Sequence, residues 1–167
     1  MQIKTERLTI TIFTPDMAQA VYENSQDEDT RRFVPDEVYD SVEEAREAIV
    51  FLISRYDSAD GPFVYPVLTN DAHNIGYVQL CKLEDGSWEI GYHIAKDFTG
   101  MGYASEAVNA FLPAMTQKLN IKEVYGICFA ENTASVRVLE KCGFTQIYQG
   151  TGNYQGKEAQ IIKTIWR

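Results

Sequence analysis

The alternation of apolar and polar residues changes period several times along the chain, and those changes mark out its elements. Between Arg7 and Phe13, Leu8, Ile10 and Ile12 alternate with Thr9 and Thr11, which predicts a strand with one polar face. Thr14, Pro15 and Asp16 then supply an N-cap, a first-turn proline and a first-turn acid, predicting a helix that fades before Asp27 to Asp29. Residues 30–40 carry no such signal and read as a loop. Ser41 followed three residues later by Glu44 is a capping box, and Ala45, Ala48, Ile49 and Leu52 give the next helix its apolar stripe.

From Phe63 the pattern is that of strands. Val64 to Leu68, Ile75 to Leu83 and Trp88 to Ala95 predict three of them, joined by turn-rich segments into an antiparallel meander. The third leads into Thr99-Gly100-Met101-Gly102. Beyond it Ala104, Val108, Phe111, Leu112, Met115 and Leu119 mark a long amphipathic helix that Pro113 should kink. A strand at Val124 to Phe129, a short helix from about Thr133 to Lys141 stopped by Gly143, and strands near Phe144 to Tyr148 and Ala159 to Trp166 complete the chain. The predicted order, βααβββαβαββ, implies the α+β class: a mixed, mainly antiparallel central sheet flanked by helices. With no repeat, linker or break in composition, residues 1–167 are expected to form a single domain.

With 45% apolar and 23% charged residues the composition is that of a globular domain, which excludes disordered and fibrous classes. No apolar run reaches the ~20 residues that span a bilayer, and MQIKTERL lacks the apolar stretch of a secretory signal. A cytoplasmic location without a membrane partner is expected. Cys81, Cys128 and Cys142 show no CxxC spacing, and His73 and His93 are the only histidines. Neither a disulfide framework nor a protein-built metal centre is expected, and the thiols read as reduced. A net charge of −9 disfavours nucleic acid and leans toward a cationic partner such as an amine, although the same acidity also serves solubility.

The run TGMGYASEA, Thr99 to Ala107, carries the most chemistry. Gly100 and Gly102, between a strand end and a helix start, can take backbone angles closed to other residues, and Ala104 and Ser105 leave the first turn uncrowded. The free N–H groups of such a turn, aided by the helix dipole, suit a pyrophosphate. The same glycines also suit a turn that binds nothing. A P-loop would need GxxxxGK[ST]. The dinucleotide fingerprint GxGxxG is nearly met, with Ser105 in the third glycine's place. That run, however, follows an antiparallel meander and leaves about 65 residues, too few for the ~six-stranded parallel sheet of that fold.

The opening TERLTI, the strand WEIGYHI, the glycine loop followed by SEAV, and ENTASVRVLEKCGF from Glu131 to Phe144 together resemble the GNAT superfamily of N-acyltransferases. Within it they are similar to the RimJ/RimL branch, which acetylates ribosomal-protein N-termini. Thr99 to Ala104 resembles that family's acyl-CoA pyrophosphate loop, Gln/Arg-x-x-Gly-x-Gly/Ala. Gly102 and Ala104 match, whereas Thr99 stands where the family usually has Gln or Arg, which removes a side-chain contact near the phosphates.

The resemblance implies acetyl-CoA as co-substrate. Its phosphates would lie against Thr99, Gly100, Met101, Gly102, Tyr103, Ala104 and Ser105, with Lys141 within reach. Its pantetheine arm would pair with the backbone of Tyr92, His93 and Ile94, on a strand that splays from its neighbour, and with the side chain of Asn132. The N–H near Ile94 would stabilise the oxyanion formed when the thioester is attacked. Gly91, within that strand, is independently a sign of a bulge or of close approach.

Attack on a thioester requires a neutral amine. At pH 7 a lysine is only about 0.04% neutral and an α-amine roughly 10 to 15%, so a general base is useful. Strand alternation puts Glu89, Gly91 and His93 on one face of WEIGYHI, so Glu89 and His93 can look toward a common cleft. Glu89 matches a position that is often the base in related enzymes, although it equally suits a solvated strand carboxylate. Ser135 is implied to protonate the departing thiolate or to hold a water that does, because the Tyr many relatives use is here Leu139. Asn132 and Ser135 also suit plain helix capping, and Lys141 is expected near a helix C-terminus in any case. An acyl-cysteine at Cys128 or Cys142 is disfavoured, since neither has a nearby His in sequence.

The expected activity is transfer of acetyl from acetyl-CoA to a primary amine, foremost the α-amine of a peptide or protein, with small-molecule amines open. The alternative is a non-catalytic acyl-CoA-binding sensor, suggested by Thr99 and Leu139. Monomer and homodimer both fit the sequence.

Overall fold

The computed structural model describes residues 1–167. The strands β1 (Ile3–Lys4), β2 (Leu8–Ile10), β3 (Phe63–Thr69), β4 (Asn74–Lys82), β5 (Trp88–Ile94), β6 (Val124–Phe129), β7 (Thr145–Tyr154) and β8 (Lys157–Trp166) form one sheet in the order β1-β2-β3-β4-β5-β6-β8-β7. Every neighbouring pair is antiparallel except β5 and β6. The helices are α1 (Ala18–Asn24), α2 (Glu28–Phe33), α3 (Val42–Arg55), α4 (Tyr103–Leu119) and α5 (Thr133–Lys141). This is the mixed, mainly antiparallel α+β architecture expected from the sequence. No helix is long and apolar enough to cross a membrane.

Helix α4 supplies much of the main core. Ala107, Val108, Phe111, Leu112 and Met115, spaced at three and four residues, are almost fully buried together with Phe63, Tyr65, Val78, Leu80 and Ile90 of the meander. The helix runs through Pro113, whose missing N–H leaves the Asn109 carbonyl without its i+4 partner. A smaller cluster of Phe13, Ala18, Ile49 and Val64 joins α1 and α3 to β3.

Three features depart from the sequence expectation. Residues 30–40 are not all loop: Asp27 caps α2 by accepting from Thr30 N–H at 2.8 Å, and Pro35–Glu37 forms a 3-10 turn. Six residues are too few to show a helical period. The two-residue strand β1 was likewise below the length at which alternation is visible. Strand β7 continues to Tyr154, past the predicted Tyr148, because a two-residue turn at Gln155 and Gly156, both at positive φ, keeps it paired with β8. Its residues are largely exposed and polar, so no apolar rhythm announces it.

Candidate active site

The backbone between β5 and β6 sets the geometry of the site. Their pairing is confined to Glu89 opposite Tyr125, so beyond that point the two strands separate. Ala95 N–H donates to Ile75 O at 2.7 Å on the β4 side. Antiparallel alternation then turns the N–H and C=O of Tyr92 and Ile94 away from β4 and into the gap, while those of His93 pair with Tyr77. A Cβ at Gly91 would lie 2.5 Å from Nε2 of Gln79, a flexible side chain that would have to shift to make room.

Beyond the gap the chain enters the glycine loop. Gly100 and Gly102 have φ of +75° and +82°, in the left-handed region that a Cβ disfavours. Gly102 is the N-cap of α4 and offers no side-chain acceptor, so the first-turn N–H groups of Tyr103, Ala104 and Ser105 are unspent, while Glu106 N–H donates to Gly102 O at 3.0 Å. The loop is held from outside by Arg7, a residue the sequence reading did not single out. Its Nη1 donates to Met101 O at 2.9 Å, its Nε to Glu106 Oε2 at 2.7 Å, and its guanidinium lies 4.4 Å from the Tyr103 ring centre. Thr99 and Met101 are exposed, and the Thr99 hydroxyl donates to Lys96 O at 2.8 Å. Cys142 Sγ lies 3.6 Å from Ser105 O, which brings the end of α5, and with it exposed Lys141, beside the start of α4.

A cavity of about 210 Å³ opens where β5 and β6 part, and Glu89, Tyr92, Asn132, Ser135, Leu139 and Tyr154 all line it. Burial pushes the Glu89 carboxyl up to about 7, although the Tyr154 hydroxyl donates to Oε1 at 3.0 Å and Lys163 acts in the opposite direction. A carboxyl poised near neutrality in a cleft is suited to general base work. Ser135 Oγ lies 2.8 Å from the Tyr92 hydroxyl, which burial keeps protonated. Asn132 Oδ1 accepts from Ser135 N–H at 3.2 Å, the capping role, which leaves its Nδ2 for other work. Burial raises the Cys128 and Cys142 thiols to about 11, which leaves little thiolate at neutral pH and disfavours an acyl-cysteine. All three cysteines are free.

Glu89 and His93 do not share one cavity. The His93 ring lines a second one, of about 250 Å³, next to the first. Thr30 donates its hydroxyl to Asp27 Oδ2 at 2.7 Å and sits 2.7 Å from His93 Nε2, so the ring is tied to α2. Burial holds the imidazole below its usual range, with Asp27 partly offsetting this. Sequence reasoning also missed Tyr154 and Glu37. The turn at Gln155-Gly156 was the signal that places Tyr154 at a hairpin tip. Glu37, whose carboxyl burial pushes up to about 7, had no local signal. No group of three or more His, Cys, Asp or Glu side chains is arranged to hold a metal ion.

The description "Acetyltransferase (GNAT) domain" matches residues 7–145. An uncharacterized N-acetyltransferase of Bacillus subtilis (strain 168), YnaD, is 32% identical over 145 residues, 86% of this chain and 82% of that protein. Among solved structures, a GNAT-family acetyltransferase from Bacillus anthracis is 25% identical and superposes with a TM-score of 0.85 over 99% of this chain and 98% of its own. RimL, described as a ribosomal L7/L12 α-N-protein acetyltransferase in complex with coenzyme A, shares the fold at a TM-score of 0.82. It is 18% identical, over 99% of this chain and 97% of its own.

Proposed function

Since the chain belongs to the GNAT acetyltransferase family, and so is an acetyl-CoA-dependent acetyltransferase, we propose that residues 1–167 act as one catalytic domain that acetylates a primary amine, foremost the α-amine of a peptide or protein. The observation that carries this reading is the unpaired stretch of β5 leading directly into the glycine-capped start of α4, with Glu89 and Ser135 on one cavity beside it. The binding-only alternative has no support from the family or its relatives.

When bound, acetyl-CoA supplies an acyl group activated as a thioester. The residues that fit it are the first-turn N–H groups of Tyr103, Ala104 and Ser105 for the phosphates, the Tyr92 and Ile94 backbone for the pantetheine arm, and Asn132 for its amide. Ile94 N–H is the donor for an acyl oxygen. Glu89 takes a proton from the amine, directly or through water, and is returned to solvent equilibrium near neutral pH. Ser135 would give a proton to the departing thiolate and recover one from solvent through the cavity, with the Tyr92 hydroxyl, 2.8 Å away, holding its Oγ in place.

A thermal shift with acetyl-CoA, CoA and NAD tests this. At 100 times the dissociation constant, linkage gives about 2.7 kcal/mol, or roughly 5 to 11 °C for a chain of this size. The expected result is such a shift with acetyl-CoA and CoA, none with NAD, and its loss in a folded Gly102→Val variant. A shift with NAD alone, or an undiminished one in the variant, overturns the loop assignment.

A further inference from the structure

The turn between β1 and β2 grips the glycine loop from outside, and the grip falls on two groups that decide what the loop can offer a phosphate. The first is a peptide unit. Arg7 Nη1 donates to Met101 O at 2.9 Å, and in a planar trans peptide the N–H on the far side of the bond, that of Gly102, points the opposite way. Gly102 N–H has no acceptor within the protein. The pull on the carbonyl therefore aims a free donor away from Arg7. The second group is Glu106, an acid in the first turn of α4. A carboxylate there suits the helix dipole but opposes a phosphate bound at the same end. Both of its oxygens are spent on the β1–β2 turn. Oε2 accepts from Arg7 Nε at 2.7 Å and lies 2.6 Å from Nη2, while Oε1 accepts from Arg7 N–H at 3.1 Å and from the Thr5 hydroxyl. The Glu106 side chain is only 19% exposed, so water screens its charge poorly and the pairing with Arg7 matters the more.

We propose that Arg7 is a positioning residue for the cofactor pyrophosphate: it fixes the Met101–Gly102 peptide so that the loop offers N–H and not C=O, and it cancels the Glu106 charge that would repel the phosphates. The proposal rests on the reading of this loop as the acetyl-CoA site, and adds to it a residue 94 positions away from Met101 in sequence. The rival is a plain scaffold role, in which the ion pair ties the β1–β2 turn to α4 whatever the loop binds. The two differ in what becomes of Glu106. If Arg7 only holds the fold, removing the carboxylate as well brings no gain in binding. If Arg7 masks a charge, the carboxylate left bare without it is itself harmful, and neutralising Glu106 restores affinity.

Calorimetric titration with CoA, which needs no acceptor, tests this in the wild type, Arg7→Ala, Arg7→Lys and the double variant carrying Arg7→Ala and Glu106→Gln, with the unliganded melting temperature of each measured alongside. Arg7→Ala is expected to weaken CoA by at least about fivefold, on the scale of a lost charge-assisted contact. The double variant should bind CoA at least about threefold more tightly than Arg7→Ala, a coupling of the size that contacting residues show. Arg7→Lys keeps the charge and gives up the fork, so it should fall between the wild type and Arg7→Ala. It also decides the matter should Arg7→Ala not fold, since binding equal to the wild type's overturns the proposal. A smaller loss in Arg7→Ala, or a double variant no tighter than Arg7→Ala, overturns it as well and leaves Arg7 a scaffold residue. Such a result beside normal wild-type binding of CoA spares the transferase reading; a wild type that binds no CoA overturns both.

Discussion

The two halves of the site are built by different means. On the proposed cofactor side, the unpaired edge of β5 and the first turn of α4 present main-chain N–H and C=O groups, and their side chains matter chiefly by being small or out of the way. On the proposed acceptor side, at the second cavity, Glu37, Asn74, His93, Phe13 and Ile49 come from separate elements and meet only in the folded molecule. A backbone site demands particular residues in a continuous run, glycine at positive φ and a strand that loses its partner. A side-chain site leaves each residue looking ordinary in its own segment.

Glu89 stands at the border between the halves, and its replacement should have the largest effect. Glu89→Gln is expected to lower kcat by about 10²- to 10⁴-fold, the usual worth of a general base, with the acetyl-CoA thermal shift kept. The sign of the pH dependence follows from its raised carboxyl. The base works ionised, so kcat should fall as pH drops through about 7 and level off above it. Glu89→Gln should abolish that limb. Glu37 is also raised to about 7, so the same profile in Glu37→Gln separates the two, because there the limb should persist. A limb kept in Glu89→Gln and lost in Glu37→Gln would move the base to the acceptor half and break the division drawn above.

Ser135→Ala probes the cofactor half alone. A loss of about a hundredfold in kcat is expected, at the low end for proton transfer because a thiolate leaves readily, with little change in acetyl-CoA binding. Tyr92→Phe sharpens it. With Ser135 as donor, Tyr92→Phe costs less than Ser135→Ala. A larger loss in Tyr92→Phe would make the tyrosine, 2.8 Å behind the serine, the acid itself.

The same division explains how much was legible in the sequence. The meander, α4 and α5 could be read because burial of one face imposes a period on the chain, and the loop because Gly100 and Gly102 must sit at positive φ. Ser135 and Asn132 came from a continuous motif at a helix start. Tyr154 was hidden by a polar hairpin whose exposed faces impose no rhythm on TQIYQGTGNY. Glu37 was hidden by α2 and the 3-10 turn after it, each too short to show a period, so nothing in RRFVPDEVYD distinguishes a buried carboxylate from its exposed neighbour Asp36. His93 was placed on the correct strand face, but which cavity it enters depends on Thr30 reaching it from 63 residues away.

The smallest expected effect bears most directly on the backbone account. Thr99 is exposed at the loop entrance, and its hydroxyl is already spent on Lys96 O. If main-chain N–H groups carry the phosphates, restoring a long cation there adds only an exposed ion pair. Such a contact is worth about 0.2 to 1 kcal/mol. Thr99→Arg should then tighten acetyl-CoA by at most about fivefold, leave kcat unchanged, and lose its advantage as salt is raised. Titration at low and high ionic strength measures it. A gain of a hundredfold would mean that side-chain charge, not the main chain of β5 and α4, dominates cofactor recognition, and the contrast between the two halves would fail at its cofactor end.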